Sequence, residues 1–292
     1  MNAPAPLDAD PILPMPPQII HPSREVADLA EAVEREFDRD EPETFWRCED
    51  AFRTLLASGF AANALRDELQ TIVDDPARIG DWQPNQLMVL RGRSYALSVA
   101  LFETPRRYIH TTPFYGMYAP LGTQPLHYDR YRLPANYRNE LFDPSLRLEP
   151  AGSGVVRAGD VLQLWSREYA YDFHVEQPVL VAKLTTAPFH TLEWLFSKDS
   201  LRAWQANDSE LSSTQLRVAA YLLGRLAHQS SLEPLQTMTT HPHHAVRWAA
   251  IQAIGRLSRT EALAQLERAQ NDPHPHIRRA AAKTLRQLES RT

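Results

Sequence analysis

A single cysteine, Cys48, stands in a chain of 292 residues, which excludes an intramolecular disulfide and any multi-cysteine metal site. As a lone thiol in a helix-like segment it is expected to be a core side chain rather than a nucleophile. No apolar run approaches the roughly 20 residues that a membrane helix needs. The N-terminus has neither a basic n-region nor an apolar h-region, so no secretory signal is expected and a reducing cytoplasm is the default. Positive charge is not in excess either. Lys and Arg number 31 against 36 Asp and Glu, a formal net charge of -5 with a pI near 6.1. That balance argues against nonspecific binding to nucleic acid or to an anionic membrane. A phosphate loop, a nucleophile elbow and a dinucleotide fingerprint are also missing. What is present is an ordinary globular composition, 43% hydrophobic and 23% charged, in a chain long enough for two domains.

Taken in order, residues 1–22 hold seven prolines, which remove backbone donors and block helix, so a disordered or polyproline-like tail is expected there. Ser23 then caps a helix with Val26, Leu29, Ala30, Val33 and Phe37 on one face. A second helix is expected over residues 44–56, and a third carries Leu65, Leu69, Ile72 and Val73. Residues 23–85 thus read as a helical lead-in that packs on a β domain beginning near Leu87.

From Leu87 the period changes to two. Strands are expected over residues 87–90 and 95–102 and around 114–119, 126–133, 161–165, 170–176 and 179–186, punctuated by Gly116, Gly122, Gly152, Gly154 and Gly159. Many short strands with no intervening helix imply a sandwich, jelly roll or small barrel over residues 86–198.

After His190 the period returns to 3.6 and an internal repeat appears over residues 199–292. Val246-Arg247-Trp248-Ala249-Ala250 matches Ile277-Arg278-Arg279-Ala280-Ala281 and, earlier, Leu216-Arg217-Val218-Ala219-Ala220. Trp204, Leu235 and Leu266 recur at 31 residues and mark the expected partner helix of each pair. Stacked pairs of this kind bury their apolar faces only against one another. This stretch resembles HEAT-type repeats, which implies a surface able to bind a protein partner. His241, His243, His244, His274 and His276 fall in turns between repeat helices. Neutral cap and turn positions explain them better than a zinc site, and Arg217, Arg247 and Arg278 are expected to bond carbonyls or acids of the adjacent repeat.

The residues that could carry chemistry lie between Tyr108 and Thr186. On a strand, alternate side chains share a face, so His127, Asp129, Tyr131 and Leu133 point one way and Tyr128, Arg130 and Arg132 the other. Sending the two arginines to solvent sends His127 and Asp129 inward, where a carboxylate needs a cation. His127-x-Asp129 followed by His174 resembles the two-His-one-carboxylate triad of non-haem iron(II) oxygenases. Lys183, with Thr185 beyond it, then falls where 2-oxoglutarate oxygenases hold the cosubstrate carboxylate. A second frame competes: Gly159-Asp160-Val161 through His174 resembles the second motif of cupins, and Tyr108 through Gly122 the first. That arrangement is similar to cysteine-dioxygenase-like cupins. There the ligands would be His110 and His174 with His127 as a third, because Thr112 replaces the usual second histidine and no glutamate follows. Phe173 and Val175 flank His174; if those two face the core, His174 faces water.

The expected protein is therefore a multidomain α and β chain: a cupin-type β jelly-roll barrel with a helical N-terminal lead-in, followed by an α-helical HEAT-like repeat stack. The resemblance implies an oxidoreductase, a mononuclear iron(II) dioxygenase or oxygenase acting on a small molecule. His127, Asp129, His174 and His110 would be its metal set, and Lys183, Thr185, Tyr131 and Tyr118 its substrate or cosubstrate contacts. The rival expectation is a metal-free degenerate cupin that senses a ligand or recruits a partner through its repeats. Tyr115, Tyr118, Tyr131, Trp165, Tyr169 and Tyr171 are candidates for an aromatic pocket wall. No nucleic acid and no membrane enters either reading, and the frequency with which cupins dimerise makes a homodimer compatible with both.

Overall fold

Helix formation begins where the prolines thin out. The computed structural model describes residues 17–77, 82–83, 85–104 and 106–290, so most of the proline-rich tail lies outside it. Ser23 is the N-cap of α1 (Arg24–Glu36), its side chain accepting from the Val26 amide at 3.2 Å. Pro42 opens a 3-10 segment (Pro42–Cys48) that runs into α2 (Glu49–Ala57), so the second expected helix is tight in its first half and α-helical only in its second. In α3 (Phe60–Asp74), Phe60, Ala61 and Ala64 are buried, whereas Leu69 and Val73 stay exposed.

Thirteen strands are described: β1 (Gln18–Ile19), β2 (Trp82–Gln83), β3 (Gln86–Arg91), β4 (Tyr95–Phe102), β5 (Tyr108–Thr111), β6 (Gly116–Leu121), β7 (Leu126–Arg132), β8 (Glu149–Val156), β9 (Leu162–Leu164), β10 (Tyr169–His174), β11 (Val179–Thr186), β12 (Leu192–Ser197) and β13 (Ala203–Asp208). They form two antiparallel sheets. One runs β1-β3-β4-β11-β6-β9, with β2 beside β3, and the other β13-β12-β5-β10-β7-β8. The late strands β10 and β11 sit between early ones in opposite sheets, the winding of a double-stranded β-helix. Gly159, at φ 91°, makes the expected turn before β9, where the Asp160 amide donates to the Arg157 carbonyl at 2.9 Å.

Side-chain parity divides the first sheet into two working faces. Leu87, Val89, Leu97, Val99, Met117 and Leu184 pack against Val26, Leu29, Val33, Phe45, Phe52 and Leu55 of the lead-in. Cys48 is buried in that layer, and burial pushes its thiol up to about 11, which fits a core side chain. The other face points between the sheets, where Tyr118, Val179 and Val181 meet Leu126, Tyr171 and Phe173.

Two compact units are described. The barrel unit covers residues 1–137, 143–189 and 194–205, and the helical unit residues 138–142, 190–193 and 206–292. The helical unit holds α4 (Leu211–Leu226), α5 (Leu232–Met238), α6 (His244–Leu257), α7 (Arg259–Ala269) and α8 (Pro275–Glu289). The recurring arginine does what its repetition suggested. Arg247 donates to the His241 and Pro242 carbonyls at 2.8 and 2.7 Å and forks onto Asp272, while Arg278 repeats the carbonyl pair on Asp272 and Pro273. His243 and His274 are the N-cap residues of α6 and α8, and the His274 ring accepts from the His276 amide. The periodicity at Trp204 does not continue as a helix. Trp204 lies on β13, 62% exposed, where pairing in the sheet overrides the repeat. Among the described residues no helix is long and apolar enough to cross a membrane.

Candidate functional site

Register decides which side chains meet. β7 and β10 pair with His127 opposite His174, Asp129 opposite Asp172, Arg130 opposite Tyr171 and Arg132 opposite Tyr169. Directly opposed residues share a face. Tyr171 and Phe173 pack against Tyr118, Val179 and Val181 of the other sheet, so theirs is the inner face. Leu126, Tyr128, Arg130 and Arg132 share it, and so does His110, which lies opposite Tyr171 on β5. His127, Asp129, Tyr131 and His174 point the other way.

That reverses the expected orientation of β7. Leu126 and Tyr128 have the same parity as the arginines, and their apolar surface fixes the strand with that side inward. The arginines follow by burying their stems and resting both guanidinium groups over the Tyr169 ring, at 4.6 Å for Arg130 and 5.1 Å for Arg132. Phe173 is buried and Val175 packs against the same cluster, which leaves His174 facing water.

The outer face has its own logic. Asp129 and Asp172 stand opposite each other in the register, and each has a basic side chain within hydrogen-bond distance. Lys198 Nζ reaches the Asp172 carboxylate oxygens at 2.8 and 2.6 Å, and His174 Nε2 meets Asp129 Oδ2 at 2.8 Å, in a pair 46% and 37% exposed. Burial, then Asp129 and Asp172, push the Tyr131 hydroxyl up. Of the expected iron ligands, His127, Asp129 and His174 share the outer side of the sheet and His110 lies on the inner side, so the frame that combines His110 with His174 is divided between two faces. No group of three or more His, Cys, Asp or Glu among the described residues is arranged to hold a metal.

The inner faces hold a different set. Lys183 sits between Ser98 and Tyr118 in the register of β4, β11 and β6. Its Nζ donates to Gln86 Oε1 at 3.0 Å and lies 5.6 Å from the centre of the Tyr118 ring. Burial, and then the Arg106 charge, push its amine down to about 8. Thr185 shares this face, two residues along the strand. Tyr118, Phe173, Tyr171 and Tyr128 continue the wall ring by ring, with centroids 5.8 to 6.5 Å apart. The Tyr171 hydroxyl is held up to about 12 by burial, and donates to the Gln163 carbonyl at 3.4 Å. Arg130 has a weak bond from Nη2 to the Ala151 carbonyl at 3.3 Å, and its buried Nε has no acceptor. Among the described residues no carboxylate lies within ion-pairing distance of Lys183 or Arg130. Gln86, Ser98 and Arg130 were not singled out from the sequence, although strand parity with Lys183 and Tyr171 was there to find them. Tyr115 belongs to the helix-facing core, so the aromatic set does not line one pocket.

These two faces and the helical stack define the class by fold: a double-stranded β-helix followed in the chain by repeated helix pairs. Residues 208–286 match the HEAT-repeat family. No curated protein matches the chain in sequence. Among solved structures it is similar to hydroquinone 1,2-dioxygenase from Sphingomonas sp. TTNP3, at 16% identity and a TM-score of 0.30 over 36% of this chain. It spans 66% of that dioxygenase chain, just under two thirds. A Klebsiella pneumoniae protein with a double-stranded β-helix domain shares 12% identity over 43% of this chain and 89% of its own, at a TM-score of 0.26. The DMSP lyase DddQ from Ruegeria pomeroyi shares 14% over 61% and 79%, also at 0.26.

Proposed function

We propose that the barrel is the small-molecule site of a cupin-type enzyme and that its ligand is an anion held between the sheets by Lys183 and Arg130. The observation behind this reading is that both cations point into the barrel and that no carboxylate among the described residues neutralises them. Burying unpaired cationic groups is costly, and a ligand carboxylate or phosphate would offset that cost with charge-assisted hydrogen bonds. Tyr118, Tyr128, Tyr171 and Phe173 would supply the apolar wall, and Tyr171, Gln86 and His110 the polar contacts that fix orientation. The role expected for Lys183 as a carboxylate holder survives in this reading. The iron(II) oxygenase assignment does not rest on the expected ligands, because three of the four face away from the barrel interior.

The test is calorimetric titration with 2-oxoglutarate, inorganic phosphate and a neutral diamide of the same length. Binding of an anion but not of the diamide, weakened at least tenfold in both Lys183→Ala and Arg130→Met, is the expected result. Affinity unchanged in both variants, or no anion bound, would overturn the reading. Anaerobic iron reconstitution runs beside it. One equivalent of iron that disappears in His174→Ala would return the site to the oxygenase class.

A further inference from the structure

The first helix of the stack has two apolar faces, and among the described residues α6 is the helix packed along it. Ser213, Ala220 and Gly224 are buried, with Ala220 in the core shared by α5, α6 and α7, and Gly224 lies so close to Ala253 of α6 that an added Cβ would meet its Cα at 2.9 Å. On the opposite side Val218, Tyr221, Leu222 and Leu226 are each at least 50% exposed. Their spacing is i, i+3, i+4, i+8, one continuous stripe of a helix. A helix apolar on both sides is normally buried on both sides.

The repeat says what is missing. Leu235 in α5 and Leu266 in α7 are buried members of the partner helices, 31 residues apart. The corresponding position one repeat earlier, Trp204, lies on a strand, so among the described residues α4 has no partner helix of its own. Charge then specifies what could replace it. Together α4, α6 and α8 carry eight Lys or Arg and one Glu, in a chain whose net charge is -5. Arg225 lies within the exposed stripe, and Arg256 of α6 reaches over the Tyr221 ring at 5.4 Å. A groove of about 380 Å³ between α4 and α6, floored by Trp248, begins at Val218 and Tyr221.

We infer that the exposed face of α4 docks an acidic amphipathic helix from another protein, which takes the place of the helix the first repeat lacks. Its leucine-type side chains cover Val218, Tyr221, Leu222 and Leu226, and its flanking carboxylates meet Arg225 and Arg256. An apolar stripe with cations at its border suits such a helix better than a nucleic acid, which needs phosphate contacts in number.

Fluorescence anisotropy on the full chain tests this with two designed helical peptides that share one leucine stripe, one flanked by glutamates and the other by lysines. The acidic peptide should bind at least tenfold more tightly than the basic one. Leu222→Glu with Leu226→Glu should abolish binding, and Arg225→Glu with Arg256→Glu should reverse the preference. All four positions are exposed, so circular dichroism should show unchanged folding. Equal binding of the two peptides, or none, would overturn the inference. So would a dimer that Leu222→Glu converts to monomer, since a second copy would then cover the face. Binding of a single-stranded oligonucleotide that survives Leu222→Glu would overturn it too.

Discussion

Lys183 is asked to be charged in a place that disfavours charge. Its folded-state pKa of about 8 lies below the ordinary lysine value of 10.5, with burial the larger cause. Between those two values the unfolded chain holds a proton that the folded chain does not, so stability rises with pH across that window, and below pH 8 the cost is fully present. Lys183→Met should therefore stabilise the barrel at pH 7, by on the order of 1–3 kcal/mol, with the gain shrinking as pH rises from 8 towards 10.5. Denaturant melts of both proteins at pH 7, 9 and 10 would check it, and a pH-independent difference would sink the idea. Anion affinity should fall through the same pH region. Lys183 was found through a resemblance, as the residue expected to hold a cosubstrate carboxylate, since its strand VLVAKLTT has no clean alternation. Arg130 was not, because assigning arginines to solvent ignores an aromatic ring and an apolar wall that together accept them.

At the scale of elements, glycines report how tightly the stack is built. An added Cβ at Gly224 would approach Ala253 Cα at 2.9 Å, whereas at Gly255 it would meet only the Ala262 methyl at 3.8 Å. Gly224→Ala should therefore destabilise the helical unit by about 1–3 kcal/mol through overpacking. Gly255→Ala should be neutral or stabilising by up to about 1 kcal/mol, because alanine is the better helix former. Thermal melts followed at 222 nm would separate them, and equal effects would refute the close crossing. Both glycines stand in a Gly-Arg-Leu triplet, 31 residues apart in successive repeats, and only helix separation tells them apart. β4 and β11 were readable to the residue because their strand-type runs are long and bounded by turns. β12 and β13 were missed, since the first is short, with three adjacent apolar residues that break its alternation, and the second carries the period of the following helices.

At the scale of the whole molecule, the two units answer acid differently. In the helical unit the His244 and His274 rings lie parallel with centroids 3.7 Å apart, and His243 stacks on the other side at 5.1 Å. Burial, and then His274, His243, Arg247 and His276, hold the His244 imidazole down to about 3, against an ordinary value of 6.5. The unfolded chain therefore takes up a proton as pH falls below 6.5, and the folded unit does not until near 3. Its stability is intact above 6.5 and is lost progressively across that window, by on the order of a few kcal/mol. Five of the six tryptophans lie outside the helical unit, so their fluorescence follows the barrel while ellipticity at 222 nm is dominated by the helices. On moving from pH 7.5 to 4.5 the melting midpoint at 222 nm should drop by roughly 10 °C more than the fluorescence midpoint. His244→Gln, which cannot titrate, should narrow that gap. A gap of the same size in His244→Gln would mean that the imidazole stack is not the acid-sensitive element.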